Sequence, residues 1–120
     1  MLTYKLRSFI DINKINWDWL SCNPNAIDLL KANPDKINWI YLSKNPAAID
    51  LLKVNLDKVH WYELSSNPEA MELLITNLDK ICWNNLSSNP NAINFIEQYL
   101  NDPIVCKKLD WDILSTNPNA

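Results

Sequence analysis

Residues 37–58 read INWIYLSKNPAAIDLLKVNLDK, and this stretch is one copy of a unit that fills most of the chain. The tryptophans at 17, 39, 61 and 83 recur every 22 residues, and Asn-Pro pairs that begin at 23, 45, 67 and 89 keep step with them. A fixed period of this size is the mark of a repeat architecture. No catalytic motif accompanies the repeat, so the sequence indicates the architecture of the protein more directly than its function.

The period divides the 120 residues into a single repeat domain, 1–120. Its predicted parts are an N-terminal cap at 1–14, four repeats at 15–36, 37–58, 59–80 and 81–108, and a truncated last repeat at 109–120. The cap is expected to carry a helix, because the end of a stack of repeats must be closed. The apolar stripe of this helix is Leu6, Phe9, Ile10 and Ile12.

Each unit predicts two short helices. In the quoted copy, Trp39 and Leu42 are three residues apart on one helical face, and Asn38 is a good N-cap, so helix A begins there. Asn45 and Pro46 end it and start helix B, with proline at the first helical position.

Helix B is expected over 46–54, where Ala48, Ile49, Leu51 and Leu52 form an apolar stripe. It is expected to end near Asn55, because asparagine tolerates the left-handed cap conformation better than residues other than glycine, and this chain has no glycine.

The fourth unit departs from the pattern. Trp83 and Trp111 are 28 residues apart rather than 22, so six residues are inserted. We expect a longer helix B that is broken at Asp102-Pro103, since proline disfavours helix in the residue before it.

Two helices of this length cannot bury enough apolar surface to offset the entropy of ordering them, so the units must stack on one another. The predicted fold is all-α, a short α-solenoid of two-helix repeats of about 22 residues each. The repeated tryptophans are expected to form a buried ladder: Trp17, Trp39, Trp61, Trp83 and Trp111.

The composition limits the classes of molecule that the protein is expected to bind. The net charge is −3, and Lys58 and Lys80 lie beside Asp57 and Asp79, so no basic surface for nucleic acid or an anionic membrane is expected. The N-terminus has no apolar run of the length of a signal peptide or membrane span. Three cysteines in no metal-binding or redox spacing fit a reducing compartment, not a secreted protein, and no cofactor or metal is expected.

The pattern Asn38-Trp39-x-x-Leu42-Ser43-x-Asn45-Pro46 resembles the Asn-Pro-rich short repeats of proteins from giant DNA viruses that infect amoebae. The resemblance covers about residues 15 to 120. It implies a viral product in the host cytoplasm, at the viral factory, or in the virion. It implies little about activity, because many such proteins have no assigned function.

Titratable and nucleophilic residues have structural interpretations. His60, the only histidine, occupies the N-cap slot of helix A, so a cap or surface role is favoured over a catalytic base. Cys22 and Cys82 replace polar residues of other units and are interpreted, with Cys106, as neutral thiols, the alternative being a redox pair.

Two rows of polar residues recur at the repeat period. Asp28, Asp50 and Glu72, with Lys31 and Lys53 nearby, are interpreted as solvated charge pairs, the alternative being a cation site. A serine follows each helix A leucine, and repetition in every unit favours backbone capping over a nucleophile. The row comprises Ser21, Ser43, Ser65, Ser87 and Ser115.

Positions that vary between units are better candidates for specificity, since repeat proteins keep framework positions for stacking. The residues that immediately follow each tryptophan vary most, and the large apolar ones form the predicted contact ridge. Its members are Trp19, Ile40, Tyr41, Tyr62 and Ile113. The alternative is that some of them are buried between rows of helices.

The leading functional hypothesis is a non-catalytic protein–protein interaction or scaffold module. The alternative is a self-assembling structural protein, forming a homodimer through the C-terminal end, where the face of Trp111 and Ile113 is uncovered. An enzyme is not expected, because no spacing proposes an acid, base or nucleophile set.

Overall fold

The computed structural model describes residues 14–117, apart from the side chains of Ile104, Cys106 and Ile113. All regular structure in this range is helical, without a strand, so the fold is all-α as predicted. The chain divides into two compact units, unit 1 at Met1–Val59 and unit 2 at His60–Ala120. The predicted cap at 1–14 lies outside the described residues except for Lys14.

Unit 1 contains two copies of one local pattern, a helix at a tryptophan, a turn, a second helix and a 3₁₀ turn. The elements are α1 (Trp17–Ser21), α2 (Ile27–Ala32), a 3₁₀ helix (Pro34–Lys36), α3 (Trp39–Lys44), α4 (Ile49–Lys53) and a second 3₁₀ helix (Leu56–Lys58). Helices α1 and α3, one repeat apart, pack on each other.

Unit 2 begins with the same pattern and then changes. Its elements are α5 (Trp61–Ser65), α6 (Met71–Ile75), a 3₁₀ helix (Leu78–Lys80), α7 (Trp83–Leu86), α8 (Ile93–Glu97), α9 (Pro103–Lys108) and α10 (Trp111–Thr116). Helix α5 packs on α7, and α9 packs on α7.

The first helix of each repeat, helix A, begins at its tryptophan, as the sequence predicts. The Asn16 side chain accepts from the Trp19 N–H at 2.9 Å, and the Asn38 side chain accepts from the N–H groups of Ile40 and Tyr41. These are N-caps of the usual kind, which satisfy donors of the first helical turn.

The predicted start of helix B was wrong by three residues. Pro46 does not open a helix, because Asn45 to Ala48 form a turn in which the Ala48 N–H donates to the Asn45 carbonyl at 3.1 Å. The Asn45 side chain accepts from the Ala47 N–H at 3.0 Å, which closes the same turn. Helix α4 therefore starts at Ile49.

Helix B ends one or two residues before the asparagine, as predicted, but the left-handed conformation predicted for that asparagine was wrong. Asn33, Asn55 and Asn77 have φ near −135°, on the ordinary side of the map. Each side chain instead donates to the carbonyl four residues back, as Asn55 does to Leu51 at 2.9 Å. A side-chain donor thus satisfies a carbonyl that the helix end would leave open, and the chain enters a 3₁₀ turn.

The six inserted residues do not lengthen helix B. Helix α8 has five residues, as α4 and α6 do, and the insertion forms the separate helix α9 in place of a 3₁₀ turn. Helix B ends at Glu97, so the expected break within it at Asp102-Pro103 was wrong. These two residues instead start α9, where the Asp102 carboxylate accepts from the Val105 N–H at 3.5 Å.

The buried core consists of aliphatic residues, and the predicted tryptophan ladder was wrong. The fully buried large apolar side chains are Leu30, Leu42 and Leu52 in unit 1, and Leu64, Leu74, Leu86 and Ile96 in unit 2. Trp17, Trp39 and Trp61 are partly exposed, and Trp111 is 52% exposed.

Trp83 alone among the repeated tryptophans is buried, at 9% exposed. It is buried because Phe95 stacks on it, with ring centroids 5.8 Å apart and planes at 7°. The ring of Trp39 instead lies 5.2 Å below the Lys58 ammonium, a cation–π contact suited to a partly exposed indole. The ring environment therefore differs between units although the tryptophan recurs.

Candidate interaction surfaces

A buried asparagine joins successive repeats in unit 1. The Asn45 side-chain amide donates to the Ser21 carbonyl at 3.1 Å and to the Asn23 carbonyl at 3.0 Å, both in the preceding repeat. We call this pair of bonds the asparagine clamp. Asn45 is fully buried, and its oxygen accepts from Ala47, so three of its hydrogen-bonding positions are used.

The asparagine clamp recurs twice in unit 2. Asn89 donates to the carbonyls of Ser65 at 3.1 Å and Asn67 at 2.8 Å, and Asn117 donates to those of Ser87 at 3.1 Å and Asn89 at 2.8 Å. The second clamp spans the six-residue insertion. The insertion therefore leaves the junction between repeats intact.

The repeated serine reinforces each junction. Ser21 donates to the Trp17 carbonyl at 2.7 Å and accepts from the Asn38 N–H of the next repeat at 2.9 Å. Ser65 and Ser87 do the same in unit 2, accepting from the N–H groups of Cys82 and Asp110. The predicted backbone role of these serines is confirmed; Ser115 differs, being exposed and bonded to the Asp112 carbonyl.

Three members of the predicted contact ridge lie on the packed helices α1 and α3, and we call them the aromatic patch. Trp19 is 60% exposed, Ile40 46% and Tyr41 37%. The alternative, burial between rows of helices, was therefore wrong for these residues. The Asn38 side chain donates to the Asp18 carboxylate at 2.9 Å, which joins the first turns of the two helices.

The other two ridge members lie in unit 2. Tyr62 is 52% exposed, its ring lies edge-on to His60 at 6.4 Å, and its carbonyl accepts from the Asn85 amide at 2.6 Å. Ile113 lies in α10, and its side chain is outside the described part of the chain. Tyr62 is thus accessible, and Ile113 stays a prediction.

Sequence reasoning missed a second set of exposed apolar residues near the ends of helix B. Val54 and Leu56 are exposed in unit 1, and Ile75, Leu78 and Leu100 in unit 2. Leu56 and Leu78 are one period apart, at the first residue of a 3₁₀ turn. The recurrence of leucine at this position is visible in the sequence, but the 3₁₀ turn that exposes its side chain was not predicted.

A cleft of about 720 Å³ lies in unit 2 between the starts of α7 and α10. It is lined by residues 81–84 and 107–112, which bring together Trp83, the half-exposed Trp111, two lysines and two aspartates. Ligand pockets of this size gain specificity from a few convergent polar groups on apolar walls. Here Lys107, Lys108 and Asp112 are exposed and Asp110 is partly exposed, and His60 is not among the lining residues.

The remaining titratable candidates are dispersed. His60 occupies the N-cap position of α5 but makes no side-chain capping bond, so the capping half of the interpretation was wrong. The residue is partly exposed, and its ring contacts Tyr62. Cys22 and Cys82 are free thiols, and the Cys22 Sγ donates to the Trp19 carbonyl at 3.2 Å. The side chain of Cys106 lies outside the described residues.

Asp28, Asp50 and Glu72 are all exposed, as Lys31 and Lys53 are. Within residues 14–117, no group of three His, Cys, Asp or Glu side chains is arranged to hold a metal ion. None of the helices in that range combines the length and apolar character needed to cross a membrane.

Comparison with known proteins finds no match to a family model, to a curated protein or to a solved structure. The proposed function therefore rests on the geometry of the chain and on its sequence.

Proposed function

We propose that this chain is a non-catalytic protein–protein interaction or scaffold module, a short α-solenoid of two-helix repeats. The recurring asparagine clamps support the solenoid. In both unit 1 and unit 2, the side-chain amide of one repeat donates to the two equivalent backbone carbonyls of the preceding repeat. Neighbour-to-neighbour bonding of this kind is how solenoids are stabilised.

The exposed aromatic patch is the observation that carries the proposal. Trp19 and Tyr41 stand at equivalent positions of two helices that pack on each other, and both are accessible. Large aromatic side chains contribute most of the energy of protein interfaces, because they bury much apolar area with few rotatable bonds. The Lys44 ammonium, 5.3 Å from the Tyr41 ring centroid, adds a positive charge at the patch.

The proposed setting is the cytoplasm or viral factory of an infected amoeba, or the virion, and it depends on the resemblance of the repeat alone. The proposed partner is a host or viral protein, and neither nucleic acid nor a membrane is proposed. The net charge of −3 supports this choice.

The test is affinity capture from a lysate of infected amoebae with three immobilised proteins: wild type, the W19A/Y41A double variant, and V54A. Val54 is a control of the same unit, since it is exposed and apolar but lies at the end of α4. We expect at least one protein to bind wild type and V54A and to be depleted about tenfold or more with W19A/Y41A, since truncating a hot-spot aromatic costs about 1–2 kcal/mol or more. Equal capture by all three would exclude the patch as the contact surface.

A second candidate function is self-assembly through the C-terminal end, and the half-exposed Trp111 favours it. Sedimentation velocity over roughly 5 to 500 µM tests this, because a dimer forms by mass action. Self-assembly predicts a sedimentation coefficient that rises with concentration and a W111E variant that remains monomeric. A coefficient that is constant for wild type argues for the module acting as a monomer.

A further inference from the structure

The aromatic patch of unit 1 carries hydrogen-bond donors at the tips of its two rings. Trp19 has an indole N–H and Tyr41 a phenol O–H, and both side chains are exposed. Ile40, which is exposed next to Tyr41, adds apolar area without a polar atom. The patch therefore combines apolar contact area with donors, and it suits a partner segment whose backbone carbonyls are available as acceptors.

Polyproline II is a regular conformation that leaves its carbonyls available. It has no internal hydrogen bonds, whereas the carbonyls of an α-helix accept from N–H groups of the same helix. It rises about 3.1 Å per residue with three residues per turn, so one turn advances by about 9 Å. A β-strand also leaves carbonyls open at its edge, but its side chains repeat on one face after about 6.8 Å.

The spacing of the two rings favours the longer of these repeats. Trp19 and Tyr41 stand at equivalent positions of α1 and α3, and these two helices pack on each other. The axes of packed helices are typically about 8–10 Å apart. One turn of polyproline II therefore matches the step from one ring to the other, and two residues of a β-strand fall short of it.

Charge differs between the two helices that carry the patch. Asp18 is exposed in the first turn of α1, and its carboxylate accepts from the neutral amide of Asn38. On α3, the equivalent place is apolar, and the charge near the patch is the Lys44 ammonium, 5.3 Å from the Tyr41 ring centroid. A cationic residue of a bound segment is therefore attracted to the α1 side and repelled from the α3 side.

We propose that the aromatic patch binds a proline-rich segment of another protein in the polyproline II conformation, with proline rings on Trp19 and Tyr41 and a basic residue near Asp18. This inference rests on the proposed interaction function and specifies its ligand. Aromatic residues are the usual receptors of such segments, because the preformed polyproline helix loses little conformational entropy on binding. The carbonyls of the segment accept from the indole N–H and the phenol O–H.

The probe is a synthetic peptide of about twelve residues, all proline apart from one arginine, which adopts polyproline II in water. The first control peptide has citrulline, a neutral group of the same shape, in place of the arginine. The second keeps the arginine and replaces the prolines by alternating glycine and serine, which makes a flexible chain. The third is a lactam-bridged amphipathic helix with a leucine face and the same arginine.

Binding is followed by heteronuclear NMR of the labelled full chain, with the Trp19 indole resonance assigned from a W19F variant. We expect the proline peptide to shift this resonance saturably, and the glycine-serine peptide to bind about tenfold or more weakly. Y41F, which removes the phenol O–H but keeps the ring, should weaken the proline peptide about three- to tenfold. V54A, an exposed apolar position of the same unit, should bind as wild type does.

The charge is tested separately with D18N, in which the side-chain oxygen still accepts from the Asn38 amide. We expect D18N to weaken the arginine peptide about two- to fivefold and to leave the citrulline peptide unchanged. An equal loss for both peptides would show that Asp18 acts through the structure of the patch, which would contradict its contact with a basic residue.

Three results would overturn the polyproline proposal: no saturable shift at Trp19, equal affinity for the glycine-serine peptide, or tighter binding of the amphipathic helix. The capture experiment separates these results from failure of the interaction function. If W19A/Y41A still loses lysate partners, the patch remains a contact surface for a segment of another conformation. A concentration-dependent shift of Trp19 without peptide would assign the patch to a second copy of this chain and would also overturn the proposal.

Discussion

At the scale of single residues, the repeated asparagine is the main polar determinant of the fold. An amide that is buried must have its hydrogen bonds made, and Asn45 makes them to backbone groups of two different repeats. Its side chain cannot be replaced by an apolar one of similar size without leaving the Ser21 and Asn23 carbonyls without this donor. Its role is therefore structural and should be kept apart from partner binding.

We predict that N45A destabilises the protein by about 2–4 kcal/mol, because it removes two inter-repeat hydrogen bonds and leaves buried acceptors unsatisfied. Urea unfolding followed by circular dichroism measures the change. N25A is the matched control, since Asn25 is an exposed asparagine of the same unit, and its effect should stay within about 0.5 kcal/mol. Similar losses for both variants would contradict the assigned role of the clamp.

At the scale of elements, helices of four to six residues depend on their neighbours for stability. Isolated helices shorter than about 12 residues are marginal in water, so each of these persists through its packing and its junction bonds. The six-residue insertion illustrates this dependence. It becomes α9 and adds a contact to α7, while the bond between Asp110 and Ser87 keeps the next helix in register.

The repeated tryptophans should differ in their contribution to stability. We expect W83A to cost about 3–5 kcal/mol, because Trp83 is buried and stacked on Phe95. W111A should cost about 1 kcal/mol or less, because half of its side chain is exposed.

Denaturant unfolding of the two variants in parallel measures this difference. Since Trp83 and Trp111 both begin a helix in unit 2, each variant serves as the control for the other. Equal destabilisation would show that position in the repeat, rather than burial, sets the contribution.

At the scale of the whole molecule, charge separates the proposed protein partner from a nucleic acid. The chain carries 11 basic and 14 acidic side chains, and the lysines of the 3₁₀ turns each follow an aspartate. Counterion release, the main source of nucleic-acid affinity, requires clustered cations that face phosphates. This alternation of acidic and basic residues therefore disfavours nucleic-acid binding by either unit.

We predict no saturable binding of duplex DNA or of single-stranded RNA, even at about 20 mM salt, where electrostatic affinity is strongest. Fluorescence anisotropy of labelled oligonucleotides measures it, with a small basic protein as the positive control. Saturable binding that weakens steeply with added salt would contradict the assigned partner class.

The sequence alone determined the helical class, the period and the residues at which helix A begins. These features are local: tryptophan, asparagine and serine recur at fixed spacing, and the N-caps act within one turn. The serine role was also predictable, since a residue present in every unit serves the framework.

Only the tertiary structure decided which of the recurring residues are buried. The period shows that Trp83 and Trp111 are equivalent, but their exposure depends on whether Phe95 and Tyr99 lie over the ring. The same holds for Asn45, which an N-cap rule places at a helix start and the structure places in a buried bond to the preceding repeat. Burial and inter-repeat bonding join residues distant along the chain, whereas sequence patterns report neighbours within a turn.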